Sequence, residues 1–189
     1  VVVTDQSDKF TINTELRLEN GVFDIGGSLL TLASVAEIEE VNTFSVTNMI
    51  QTNSSFTDNG VTKNFAANRV TDFIYPIGQL LYTPVRFNFS EAGHTTGASA
   101  CSITARPANE RQPTITNDTE VLPCAAINDL NNVLQYHWII TAANVASSFQ
   151  SEMILTYDQT LVADDNGPFE TDYIGARVLA SDNTVGKFP

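Results

Sequence analysis

Basic residues are scarce in this chain of 189 residues: nine Lys and Arg stand against 22 Asp and Glu, a net charge of −13. So acidic a surface repels phosphate backbones and anionic headgroups, and neither nucleic-acid nor membrane-surface binding is expected. Long apolar runs are missing too. No stretch approaches the ~20 residues of a bilayer span, so no membrane insertion is expected. Histidine occurs only as His94 and His137, and cysteine only as Cys101 and Cys124. Neither cysteine lies in a CxxC, which removes zinc and thioredoxin-like chemistry. No Ser stands in a GxSxG elbow and no Cys beside a plausible base, so nucleophilic catalysis has no constellation. The chain opens VVVTDQSDKF, without Met and without a signal peptide's basic and apolar regions, and closes on Lys187-Phe188-Pro189. It reads as a mature fragment, or one piece of a longer polypeptide.

What is present is a globular share of hydrophobic residues, 42%, with few charges and many Thr, Asn and Ser, which favour strands and turns over helices. Thr71–Ser90 organises the rest. Phe73, Ile74 and Tyr75 form an apolar run, and Pro76-Ile77-Gly78 breaks it. Val85, Phe87 and Phe89 then alternate with Arg86, Asn88 and Ser90, the period of a half-buried strand. Upstream, short segments end in Gly or Asn turns. Leu16 and Leu18 alternate before Asn20-Gly21, Val22 to Ile25 ends at Gly26-Gly27, and Leu29, Leu30 and Leu32 follow. Leu29 to Glu40 also approaches helical spacing, but it lacks a clean polar face. Asn42–Asn64 continues with Phe44 and Val46 alternating, and Asp58-Asn59-Gly60 marks a tight turn.

Downstream, Cys101, Ile103 and Ala105 face inward until Arg106-Pro107 ends that strand. Leu134, Tyr136, Trp138 and Ile140 share a face, with Trp138 the expected core anchor. Met153, Leu155 and Tyr157, and finally Ile174, Ala176 and Val178, repeat the pattern. The expected fold is all-β. Residues 1–68 form rungs of a short β-solenoid or β-roll, leading into a C-terminal antiparallel Ig-like β-sandwich at 69–189, with a long loop at 107–133.

Candidate sites are few. An even cysteine count in an acidic, Thr- and Asn-rich chain suggests one disulfide, Cys101 to Cys124, contributing about 3 kcal/mol if unstrained; two buried thiols are the alternative. Asp164, Asp165, Asn166, Glu170 and Asp172 cluster hard oxygen ligands around Gly167, a possible calcium turn outside the EF-hand spacing, and otherwise a solvated acidic turn. No other cofactor is expected. Glu110, Glu120, Asp129, Asp164, Asp165 and Glu170 include any carboxylate pair a glycosidase would need, but nothing places two of them across a cleft. His94 and His137 are read as solvated or loosely bonded imidazoles. Asn53, Asn88 and Asn117 begin glycosylation sequons, at a frequency near chance.

LRLENGVFDIGGSLLTL at Leu16–Leu32 and FIYPIGQLLYTPVRFNF at Phe73–Phe89 resemble secreted surface proteins of the type 9 secretion system cargo class. So do HWIITAAN at His137–Asn144, MILTYDQTLV at Met153–Val162 and the Tyr173–Leu179 strand. In that family, rung-like repeats lead into a hairpin with an aromatic-Pro-Ile/Val-Gly signature. The resemblance implies an extracellular, adhesin-like module, part of a gliding-type adhesin or surface filament. It carries over no catalytic residue. The cysteine pair and the 107–133 segment depart from the pattern, and no C-terminal sorting domain is visible. Expected partners are the rest of a longer parent polypeptide, neighbouring surface-protein subunits or a surface glycan. The competing reading is a carbohydrate-binding accessory domain of a polysaccharide-degrading enzyme, for which Tyr75, Tyr82, Trp138 or Tyr173 would have to be exposed for stacking. A hydrolase in its own right lacks a constellation.

Overall fold

The computed structural model describes residues 9–67, 72–89, 99–113, 134–146, 149–158, 176–178 and 185–187. Among these the chain is all-β, and no helix occurs. It groups into two compact units, Val1–Ala108 with Trp138–Asp158, and Asn109–His137 with Gln159–Pro189.

In the first unit, short segments that each bury one face return in turn to the same three sheets. β1 (Lys9–Ile12), β4 (Leu29–Leu32) and β7 (Gly60–Phe65) run parallel, placing Phe10 beside Leu30 and Leu30 beside Val61. β2 (Glu15–Leu18) pairs in parallel with β5 (Glu37–Glu40). β3 (Phe23–Gly26) and β6 (Ile50–Thr52) do the same, and β6 takes β9 (Ile77–Gly78) on its other edge. Leu18, Ile25, Leu30, Leu32, Ile50, Val61 and Ile77 point into one continuous core. A fully buried side chain of this kind contributes about 1.5–3 kcal/mol.

β7 changes the pattern. One edge meets β4 in parallel, and the other meets β11 (Cys101–Ala108) antiparallel, with β12 (His137–Ala143) beyond. A separate antiparallel sheet sets β10 (Val85–Asn88) between β8 (Phe73–Tyr75) and β13 (Glu152–Leu155). Rings fill the interior: Phe65 meets Phe73 and Phe89 edge-on at 6.3 and 5.6 Å, and Phe73 meets Tyr75 at 4.8 Å. Such pairs add about 0.5–1.5 kcal/mol beyond area burial. In the second unit, β14 (Ala176–Val178) pairs antiparallel with β15 (Val185–Lys187).

Several expectations meet a different outcome. Pro76-Ile77-Gly78 is more than a break between paired segments. β8 and β10 do pair, but Ile77 and Gly78 leave for a different sheet as β9, where the Pro76 carbonyl accepts the Ile50 N–H at 2.7 Å. Gly78 is required there, since a Cβ would stand 2.0 Å from Leu81 O and 2.9 Å from Met49 Sδ. The β11 strand runs through Pro107 to Ala108 and does not stop at Arg106. Phe44 is buried, whereas Val46 is exposed at the tip of a turn. Trp138 is half-buried against the core, and the largest fully buried side chains are Tyr75, Phe65 and Phe89.

Candidate functional site

Two shallow grooves flank β5. One, of about 490 Å³, is lined by Thr14, Glu15, Val35, Glu37 and Glu39. Parallel register sets Glu15 beside Glu37 and Arg17 beside Glu39, so carboxylates gather on one outward face. The Glu39 carboxyl beside it raises the Glu15 carboxyl above its usual range, because a proton on Glu15 can be shared with Glu39 whereas two ionised carboxylates repel. Arg17 reaches Glu39 at 3.4 Å, an exposed pair of the kind that contributes about 0–1 kcal/mol.

The second groove, of about 260 Å³, is lined by Ser34, Ala36, Glu37, Ile38, Lys63, Asp72, Phe73 and Ile74. Lys63 lies at its base. It alternates inward with Val61 and Phe65 on β7 and is buried. Its Nζ donates to the carbonyls of Ala33 at 2.9 Å, Ser34 at 3.2 Å and Ala36 at 2.5 Å, and sits 5.4 Å from the Phe73 ring centroid. The ammonium thus closes the β4–β5 turn from inside. The sequence reading missed this residue, although its place between Val61 and Phe65 marks it as inward-facing. With its three donors directed at backbone oxygens, Lys63 is placed to hold a turn.

A second polar cluster closes the loop before β7. Asp58 is buried, and its Oδ2 accepts the Ser55 N–H at 3.1 Å, while Arg106 Nη1 donates to the Asp58 carbonyl at 2.7 Å. Burial pushes the Asp58 carboxyl up, against the bonds to Ser55, Thr52 and Asn53 and the Arg106 charge. Burial also lowers Arg106 from its usual value. The loop repeats a neighbour's geometry. Ser45-Val46-Thr47-Asn48 and Ser55-Phe56-Thr57-Asp58 each bond Ser Oγ to Thr Oγ1 at 3.1 Å, and each bonds the fourth residue's N–H to the serine carbonyl.

Of the residues singled out from sequence, Cys101 is a buried free thiol whose pKa burial raises; Cys124 lies outside the described residues. Asp164, Asp165, Asn166, Glu170 and Asp172, the calcium candidates, also lie outside them, as do Glu120, Asp129, His94, Asn117 and Tyr173. Among the described residues no three His, Cys, Asp or Glu side chains are arranged to hold a metal. His137 is half-buried, its Nδ1 2.8 Å from the Glu110 carbonyl. Asn53 is exposed, whereas Asn88 is engaged by Arg86 and Glu152.

The rings considered for sugar stacking are turned to other work. Tyr75 is fully buried and donates its hydroxyl to Ile103 O at 2.9 Å; burial drives its pKa well above the ordinary phenol value. Tyr82 is half-buried, its pKa pushed up to about 12 by burial and the Glu40 charge. Trp138 donates Nε1–H to Thr83 O at 3.0 Å. Chemically, the described surface offers an acidic face and exposed turn tips, with polar side chains spent on holding loops. Comparison with protein-family models, with curated proteins and with solved structures found no match for this chain.

Proposed function

We propose that the chain is a non-catalytic structural and adhesive module of a large secreted protein, displayed at the cell surface and exported by the type 9 route. The observation that supports it most is the strand order. Short parallel strands recur in three sheets, the arrangement a β-solenoid reading calls for, and β7 pairs in parallel with β4 on one edge and antiparallel with β11 on the other, which suits a passage into an antiparallel sandwich. Such a build gives a stiff body whose exposed loops are free to bind. Polar side chains such as Lys63, Asp58 and Trp138 serve backbone carbonyls and turns, as a structural role requires. Its partners are then the rest of the parent polypeptide and neighbouring surface subunits.

Beads coated with the folded chain, held against cell-surface or polysaccharide-coated glass under flow, test the reading. Retention above that of beads carrying an unrelated acidic β-protein supports it; equal wash-off overturns the adhesive part. A glycan array run alongside reads the carbohydrate-binding alternative, which gains support only from sugar-dependent capture. A calcium titration of Tm reads the Asp164–Asp172 cluster, and an unchanged Tm discards it.

A further inference from the structure

Of the three Asn-Gly pairs in the chain, two lie among the described residues, and they sit in opposite settings; Asn166-Gly167 lies outside them. Asn20 and Gly21 are exposed in the turn between β2 and β3. Gly21 has φ +109°, and a Cβ built on it would meet nothing within 4 Å, so a ring formed there has room. Asn42 reaches across and donates Nδ2–H to Asn20 Oδ1 at 3.2 Å and to the Glu19 carbonyl at 2.7 Å. A donor on an amide oxygen draws electron density from its carbon and receives the oxyanion formed when a nucleophile adds. Asn59-Gly60 is bound differently. Asn59 Nδ2 and its backbone N–H both donate to the Gly27 carbonyl, at 2.9 and 3.1 Å. Gly60 is buried, with Ala105 O and Arg106 Cβ each 2.7 Å from where a Cβ would stand.

We propose that Asn20 is a spontaneous modification site: the Gly21 nitrogen attacks Asn20 Cγ with Asn42 as oxyanion donor, while Asn59-Gly60 is protected by the fold. A solvent base takes the Gly21 amide proton, and the freed lone pair bonds to Cγ. The Cγ–Nδ2 bond breaks, and the nitrogen takes up a proton and leaves as ammonia. Water then adds to either carbonyl of the five-membered succinimide, reopening it to aspartate or isoaspartate. The sum is amide plus water to acid plus ammonia, with no change of oxidation state. The product places a new negative charge next to Glu19, and the isoaspartate form lengthens the backbone at the turn. Asn42 then loses its partner geometry, and the β2–β3 turn loosens from the segment after β5. This inference is independent of the adhesive reading.

The test incubates the full chain at mildly alkaline pH, in native buffer and in denaturant. Peptide mass mapping follows both sites, and isoaspartyl methyltransferase labels the product. In denaturant the two pairs react at similar rates, since each is Asn-Gly. In native buffer Asn20 is expected to react roughly tenfold or more faster than Asn59, a barrier difference of at least ~1.4 kcal/mol. Asn42→Asp, which keeps the shape and replaces donor by acceptor, and Asn42→Ala should both slow Asn20 in native buffer and leave its denatured rate unchanged. Equal native rates at the two pairs, or an Asn20 that reacts only in denaturant, would overturn the proposal. So would a native rate unaffected by both Asn42 substitutions.

Discussion

Replacing Lys63 by Met keeps the length of the side chain and removes its charge and its three donors. The carbonyls of Ala33, Ser34 and Ala36 then lose the ammonium that joins them. A hydrogen bond from a charged donor contributes about 1.5–3 kcal/mol, so three would sum to about 4.5–9 kcal/mol taken naively. Against that stands the effective penalty of several kcal/mol for keeping an ammonium out of water, which the variant no longer bears. Ser34 is only half-buried, so water can reach part of the vacated turn. The balance is a loss of about 3 kcal/mol, within the range for removing one member of a buried charged network. For a chain of this size that lowers Tm by about 6–12 °C. Urea unfolding of wild type and Lys63→Met measures it, with the midpoint falling at unchanged m-value. The turn should loosen first, so hydrogen exchange at Ala36, whose N–H bonds Ala33 O, should accelerate beyond the global change. A loss below about 1 kcal/mol with Ala36 still protected would show that the ammonium does not hold this turn.

Other substitutions probe the remaining supports. Gly78→Ala forces a methyl against Leu81 O and Met49 Sδ and should cost about 3 kcal/mol or more in denaturant unfolding, as overpacking does; a loss under ~1 kcal/mol would deny the close approach of β9. Trp138→Phe removes the bond to Thr83 O and should cost about 1 kcal/mol, and an unchanged midpoint would discount that bond. Because burial raises the folded Asp58 pKa above its unfolded value, its favourable contribution is complete below the unfolded pKa and is lost as pH rises through the folded pKa. Asp58→Asn should therefore lose less stability than wild type as pH rises above the usual carboxylate range, where the upward shift places the folded-state titration. Parallel stability curves would contradict it.

The sequence carried the local layer of this fold well and the partner choices poorly. Leu16 and Leu18 alternate with charged neighbours as expected, the segment with Leu29, Leu30 and Leu32 is a strand, and Gly21 takes the positive φ that an Asn-Gly turn needs. Leu29–Leu32 and Glu37–Glu40 are strands, which settles the helical alternative there. Pairing direction is a non-local property, so nothing in Phe23 to Gly26 announces that β6 will lie beside it in parallel. Pro76 and Gly78 carry strong breaker signals, yet tertiary packing overrides them: Pro76 needs only its carbonyl, and Gly78 is required by crowding. Charge ordinarily means solvent, so spacing along β7 does not by itself single out Lys63, whose burial is compensated by the carbonyls of the β4–β5 turn and the neighbouring rings. The acidic face at Glu15, Glu37 and Glu39 arises from register across β2 and β5, which spacing along the chain does not reveal.

β7 grips β4 along one side and β11 along the other, with chain directions that agree on the first side and oppose on the second. Tension drawn along this strand would load both rows of backbone bonds in shear at once, whichever terminus is pulled. The mechanical weak points of this unit should therefore lie at its margins, and the join between its parallel and antiparallel strands should be the last seam to part.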